Sequence, residues 1–200
     1  MKKSLVILLL AISSTWANTD FSYILGMRNN RYAFAGVEYK NKIGVVVENS
    51  VMAQGVEKQY VRIVPFYEWA LPLGLRGVYG IFAGLRYDRD YHDYGAILEA
   101  EWNIYERYLI FHGAFHPFFD SYLGSLVGYE FAMASFFAKE VGIYMGLKNL
   151  PDFRDVERRA VVGILFDTGT LFLKPELSLP TNGDTHLVRM GVFFIYKSHF

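Results

Sequence analysis

Residues 190–200 read MGVFFIYKSHF, and this stretch decides the fold. Met190, Val192 and Phe194 occupy every second position, and Tyr196 continues the series. An extended strand here therefore has one apolar face that includes aromatic rings. The stretch ends on an aromatic residue, Phe200. In a soluble protein such a strand would form a long apolar edge, which soluble proteins avoid. The stretch therefore predicts a strand that closes a sheet and whose apolar face does not meet water.

The same alternation recurs along the chain. Tyr94, Leu98 and Trp102 share one face of a segment in which Glu99 and Glu101 share the other. Twelve such strands are predicted, with ten as the alternative count, over 21–28, 31–40, 43–52, 60–69, 77–87, 94–104, 107–116, 121–131, 136–147, 159–167, 170–179 and 186–200. The sequence thus predicts an all-β fold of antiparallel strands joined by turns.

The N-terminal residues 1–17 predict a secretory signal peptide. Two lysines precede the apolar run 5–12, and a small-residue cleavage site follows at 15–17. The run is too short to span a bilayer, which takes about 20 apolar residues. We therefore expect an exported protein with one domain, 18–200.

The composition excludes several classes of protein. The chain has no cysteine, so disulfides and thiolate metal sites are ruled out. Its formal net charge is zero, which leaves no basic footprint for nucleic acid. The longest uncharged stretch after the signal, 108–119, is too short for a transmembrane helix. An aromatic content of 18% with glycines inside alternating segments is typical of a membrane β-barrel.

Strand number indicates which face points inward. Alternation alone does not separate a membrane barrel from a soluble one, because both have one apolar and one polar face. They differ only in which of the two faces points inward. A barrel of about eight strands can be filled by side chains, whereas larger barrels enclose cavities or channels. A twelve-stranded barrel therefore points its charged face inward and its apolar face to lipid.

The signal peptide, the alternation and the aromatic terminus together resemble bacterial outer-membrane β-barrel proteins. The resemblance is to the class and picks out no single family. It implies an antiparallel up-and-down transmembrane barrel in the outer membrane. It also implies an assembly signal in Phe194, Tyr196 and Phe200, and a closing strand that pairs with the first strand near 21–27.

Charged residues fall on the inner face of the predicted barrel. The predicted pore-lining residues are Arg62, Glu68, Arg86, Glu99, Glu101, Glu130, Glu140, Lys174, Glu176 and Arg189. A lumen with both signs of charge is typical of a narrow channel for small polar solutes, which is the first hypothesis. The same residues fit a closed structural or adhesion barrel whose interior ion pairs satisfy one another.

A second alternative is an outer-membrane lipid or ester hydrolase. A two-residue turn at 105–106 predicts that Glu99 pairs with His112, and a carboxylate that orients an imidazole is part of a hydrolase triad. His116 and Ser121 follow toward an outer loop and complete the candidate catalytic residues. No His-x-Ser-Asn run accompanies them, so we expect no enzyme.

The segment DRDYHD, 88–93, supplies candidate metal ligands in Asp88, Asp90 and Asp93. It lacks the glycine and the spacing of a calcium loop, and a solvated acidic loop is the alternative. We expect no cofactor and no nucleic-acid partner. The expected partners are outer-membrane lipid, lipopolysaccharide and the barrel-assembly machinery. The oligomeric state stays open.

Overall fold

The computed structural model describes residues 20–28, 32–50, 60–86, 90–105, 108–149, 158–181 and 188–199. The predicted signal peptide and Phe200 lie outside these residues. In the described part of the chain, no helix is long and apolar enough to cross a membrane.

The described residues form twelve β-strands, as the alternation predicts. They are β1 Phe21–Arg28, β2 Tyr32–Tyr39, β3 Ile43–Ser50, β4 Tyr60–Leu71, β5 Leu75–Arg86, β6 Tyr91–Tyr105, β7 Leu109–Asp120, β8 Gly124–Phe136, β9 Val141–Lys148, β10 Arg159–Asp167, β11 Leu171–Pro180 and β12 Arg189–His199. Each strand pairs antiparallel with its neighbours in sequence. The alternative count of ten strands is wrong.

The sheet closes on itself. Strand β12 pairs with β1 from Ser22 opposite His199 to Met27 opposite Phe194. This pairing confirms the expected partner of the closing strand. Closure removes both edges of the sheet, so every strand has a neighbour on each side.

The outer surface of the barrel is apolar. Met190 is 79% exposed, Ile81 64% and Phe131 60%, and large apolar side chains are exposed on strands around the barrel. Arg189 lies on the opposite face of β12, which it shares with Lys197, and Lys197 forms an ion pair with the fully buried Glu38. An apolar exterior around a polar interior is the arrangement of a barrel that stands in lipid.

The two ends of the barrel differ in their connections. One end, called the loop end here, carries the longer connections 51–59, 149–158 and 181–188. The other, called the turn end, carries short connections such as 40–42 and 72–74, together with the start of β1 and the end of β12. Each strand runs from one of these ends to the other, so the position of a residue along its strand is given by the end that it is nearer.

The connection between β8 and β9 departs from the sequence prediction. The sequence predicts a turn at 132–135, but β8 continues to Phe136 and the turn occupies 137–140. Glu140 therefore lies in an exposed turn and not on the inner face of a strand. The small residues at 132–135 continue the strand because Ala132 and Ala134 fit the buried inner face.

The register between β6 and β7 also departs from the prediction. Glu101, and not Glu99, lies opposite His112. The connection differs from the predicted two-residue turn, because β6 ends at Tyr105 and β7 begins at Leu109, and a register shift between Asn103 and Tyr105 then changes the pairing by one further position. A bulge of this kind adds one residue to one strand. The side chains keep their faces, but the predicted pair of Glu99 with His112 is wrong.

Candidate functional site

The interior holds a cavity of about 1020 Å³ on the side of β6 to β12. Arg159 and Arg189, the first residues of β10 and β12, line it at the loop end. Asn103 and Asp167, close to the turn ends of β6 and β10, line it at the opposite end. The cavity therefore follows the strands from one end of the barrel toward the other.

A network of four charges, called the Lys174 network, crosses one wall of the cavity. Lys148 forms an ion pair with Glu176. Lys174 lies 3.5 Å from the Glu176 carboxylate and 3.6 Å from that of Glu130. All four side chains are largely buried. Two cations and two anions compensate one another, as buried charges require.

The wall formed by β5 to β7, called the acidic wall, carries two further pairs of hydrogen-bonded side chains. Glu99 Oε1 lies 3.0 Å from His116 Nε2. Arg76 donates to Glu101 Oε1 from Nη2 at 2.7 Å and from Nε at 3.0 Å. His112, opposite Glu101 in register, also lines the cavity. Each carboxylate of this wall thus has a basic partner.

An apolar surface, called the apolar wall, lines the cavity near the turn end. It comprises Ile110, Ala134, Phe136, Tyr144, Leu165, Phe172, Phe193 and Ile195. Most of these residues belong to one buried cluster, against which Phe172 packs. The rings of Phe172 and Phe193 meet edge to face with centroids 6.0 Å apart. The cavity therefore has an apolar side and a charged side.

The other part of the interior, around β3 to β6, is filled by a cluster centred on Arg62. Arg62 donates to the Tyr60 hydroxyl at 2.7 Å, and that hydroxyl donates in turn to Asp93 at 2.7 Å. Arg62 also lies 3.6 Å from the carboxylates of Glu48 and Asp93, and 4.5 Å from the Phe82 ring centroid. We call these five residues the Arg62 cluster.

Tyrosine rings extend this cluster toward the loop end. Tyr32, Tyr60 and Tyr91 form a buried aromatic group, with the Tyr60 ring 6.3 Å and 6.0 Å from its two neighbours. Tyr91 donates to Asp120 at 2.8 Å. Bulky rings and hydrogen-bonded charges therefore occupy this side of the interior.

The predicted lining residues divide between these regions. The cavity is lined by Glu99, Glu101, Glu130, Lys174, Glu176 and Arg189. Arg62 belongs to the cluster named after it, and Arg86 lies opposite Tyr60 beside that cluster. Glu68 lies on β4 close to Lys197 and Glu38. Glu140 is the exception, being in the turn described above.

Sequence reasoning missed three basic residues of the cavity, Arg76, Lys148 and Arg159. The last two begin and end the charged segment KNLPDFRDVERR, which reads as one solvated loop. The alternation of β9 and β10 could have found these two residues, because Lys148 and Arg159 each occupy an inward-facing position that continues the pattern of the strand. Arg76 was missed because the sequence predicts a turn over 70–76, whereas β5 begins at Leu75.

The candidate hydrolase residues do not assemble into a triad. His116 pairs with Glu99 inside the barrel, whereas the Ser121 hydroxyl accepts a hydrogen bond from the His92 backbone N–H at 3.1 Å. Among the described residues, no contact brings Ser121 to His112 or His116. The serine lies in the connection after β7, at the loop end.

The candidate metal ligands are also separated. Asp93 lies within β6, is buried, and accepts the Tyr60 hydroxyl, so it is not a loop ligand. Asp90 lies in an exposed turn, and Asp88 is outside the described residues. In the ranges that the structure describes, no group of three acidic, histidine or cysteine residues is arranged to hold a metal ion.

The closed antiparallel barrel, with its apolar exterior and charged interior, defines this chain as a transmembrane β-barrel of the bacterial outer-membrane class. Its fold is similar to that of KdgM porin, in two solved structures. In each the TM-score is 0.58 at 14% sequence identity, over 90% of this chain and 99% of the porin chain. One of them is a complex of the porin with disordered oligogalacturonate.

The sequence itself matches no family model and no curated protein. The likeness to KdgM porin at 14% identity therefore concerns the fold. What the cavity of this chain can bind or pass depends on its own lining residues.

Proposed function

We propose that this protein is an outer-membrane channel that passes small polar solutes through the cavity between β6 and β12. The observation that carries the proposal is the extent of that cavity, whose lining includes residues from the loop end and from the turn end of the strands. Ion pairs on its walls keep the lumen polar. The role assigned to the chain is transport, with no catalytic step.

The loop end of the cavity favours anionic solutes. Arg159 and Arg189 line it there in addition to the Lys174 network, in which the two lysines are balanced by Glu130 and Glu176. The acidic lining residues Glu101 and Asp167 lie nearer the turn end. An excess of one sign of charge attracts ions of the opposite sign. The complex of KdgM porin with oligogalacturonate, a polyanion, supports the same preference.

Single-channel recording tests the proposal. Full-length protein refolded in detergent and added to planar lipid bilayers in 1 M KCl should produce discrete current steps. The same detergent without protein should produce none. A folded barrel, identified by its faster gel migration before boiling, that gives no current above the bare bilayer would refute the channel and leave a closed structural barrel.

Reversal of one charge tests whether ions pass through the cavity. Replacing Arg189 with glutamate (Arg189→Glu) exchanges a positive charge in the lining for a negative one. The anion-to-cation permeability ratio should therefore fall by about threefold or more, which corresponds to about 0.7 kcal/mol. The matched control is Arg158→Glu, because Arg158 is an exposed residue of the same end next to β10. Equal shifts in the reversal potential of both variants would contradict passage along Arg189.

A further inference from the structure

The two walls of the cavity differ in chemistry at the same depth. Residues from six consecutive strands, β7 to β12, build the apolar wall. Leu165, Tyr144, Phe136 and Ile110 keep only 4%, 5%, 6% and 7% of their surface exposed, so they are nearly inaccessible to water and to a solute. Phe172, Phe193 and Ile195 are only partly buried, and they are the large apolar side chains of this wall that a solute in the cavity can contact.

The acidic wall supplies the polar groups of the same passage. Glu99 is hydrogen-bonded to His116 there and Glu101 is paired with Arg76, so each carboxylate has a partner on its own wall. A strongly hydrated ion that passes between the two walls must give up water on the side of the apolar wall, which does not replace it. A solute with an apolar face has no such loss, because that face gains from contact with the wall.

A cation adjoins the aromatic part of the apolar wall. Lys174 Nζ lies 4.1 Å from the Tyr144 ring centroid and 5.8 Å from that of Phe193. Arg159 and Arg189 line the cavity toward the loop end. An anion that enters from the loop end thus meets basic groups first and apolar side chains afterwards.

We propose that the channel selects small organic anions with an apolar face, the class of aromatic and alkyl carboxylates, over strongly hydrated anions of the same charge. The proposal rests on the proposed channel function. The carboxylate follows the basic residues of the loop end, and the ring or alkyl group then slides along Phe193, Phe172 and Ile195. Hydrated anions are held back at the same wall.

The permeability ratio of benzoate to chloride tests this selectivity. Wild-type protein in a planar bilayer, with sodium benzoate on one side and sodium chloride on the other at pH 7.5, should give a ratio above one. Free diffusion alone favours chloride, the smaller ion. Glycerate in place of benzoate should give a ratio below one, because it is a smaller organic anion without an apolar face, so size does not explain its lower permeability. Protein-free bilayers correct for leakage of benzoic acid.

A matched pair of variants at one residue places the selectivity on the wall. Ile195 is only partly buried, so a solute in the cavity can contact it. Ile195→Thr and Ile195→Val both remove the terminal methyl group and have nearly the same volume, but only threonine adds a hydroxyl. Ile195→Thr should lower the benzoate-to-chloride ratio by about threefold relative to Ile195→Val, which corresponds to about 30 Å² of apolar contact.

The outcomes separate this proposal from the one on which it rests. A barrel that conducts neither salt refutes the channel itself. A channel that conducts, but passes chloride more readily than benzoate, refutes only the selectivity. A wild-type ratio above one that is the same in Ile195→Thr and Ile195→Val also refutes it, since the selectivity would then arise away from the apolar wall.

Discussion

The Arg62 cluster and the cavity occupy the same barrel and use the same kinds of charged residue, yet one region is filled and the other is open. Tyr60 is 1% exposed, and its ring packs between two other tyrosines in the filled region. Ala134, Ser178 and Gly191 line the open region. The number of inward charges therefore does not decide whether a barrel is open. The volume of the side chains between those charges does.

Removal of the central cation should have the largest effect. We expect Arg62→Ala to lower the free energy of unfolding by about 3–5 kcal/mol, because Glu48 and Asp93 would remain buried without their partner. Urea unfolding in lipid vesicles, followed by tryptophan fluorescence, measures this. The matched control is Arg76→Ala at the cavity. The Arg76 side chain, which pairs with Glu101, is 68% exposed. We therefore expect Arg76→Ala to lower the free energy of unfolding by less than about 1 kcal/mol. Equal losses of stability in Arg62→Ala and Arg76→Ala would contradict the distinction between a filled and an open region.

A single methyl group should have the next largest effect. A Cβ at Gly84 would collide with the Tyr60 hydroxyl and the Asp93 carboxylate, so Gly84→Ala should cost about 1–3 kcal/mol. Gly113→Ala is the control, because a Cβ there meets only the Phe131 ring at an ordinary distance of 3.8 Å. The same unfolding assay applies. Tolerance of Gly84→Ala would mean that the filled region is packed less tightly than its contacts indicate.

Added volume on the open side should reduce the current. Ala134→Leu extends a side chain that lines the cavity, and we expect single-channel conductance to fall by about half. The free energy of unfolding should fall by about 1–3 kcal/mol, because Ala134 is buried and its neighbours must move to admit the larger side chain. Met133→Leu, on the outward face of the same strand, is the control. An unaltered conductance in Ala134→Leu would place the ion path elsewhere.

Much of the fold could be predicted because strand alternation is local. The inward phase of Glu99, Glu101 and Arg189 follows from their apolar neighbours, and the structure places all three in the cavity lining. The bulge before Tyr105 could not be predicted, since no residue in that segment marks an extra position in the ladder. Together with the later start of β7, at Leu109 instead of 107, it moved the partner of His112 by two residues, so the partner stays on the same face.

The division of the interior could not be predicted from the sequence either. Asp93 reads as part of an acidic loop until its contact with Tyr60 is seen. The two residues are separated by 33 positions, and their contact depends on β4, β5 and β6 lying side by side. Long-range contacts of this kind decide which charges are sealed and which face the cavity. Alternation along a single strand carries no information about them.

The ion pair of Lys197 with Glu38 has a consequence for how the barrel forms. Glu38 is on β2 and Lys197 on β12, so their side chains meet across β1, the strand between them. The Glu38 side chain is fully buried, and a buried carboxylate without a partner is strongly unfavourable. Until the two ends of the chain meet, neither residue has this partner. We therefore expect the pair to form late in folding and to slow reopening, so that it acts on the lifetime of the folded barrel rather than on the rate of its assembly.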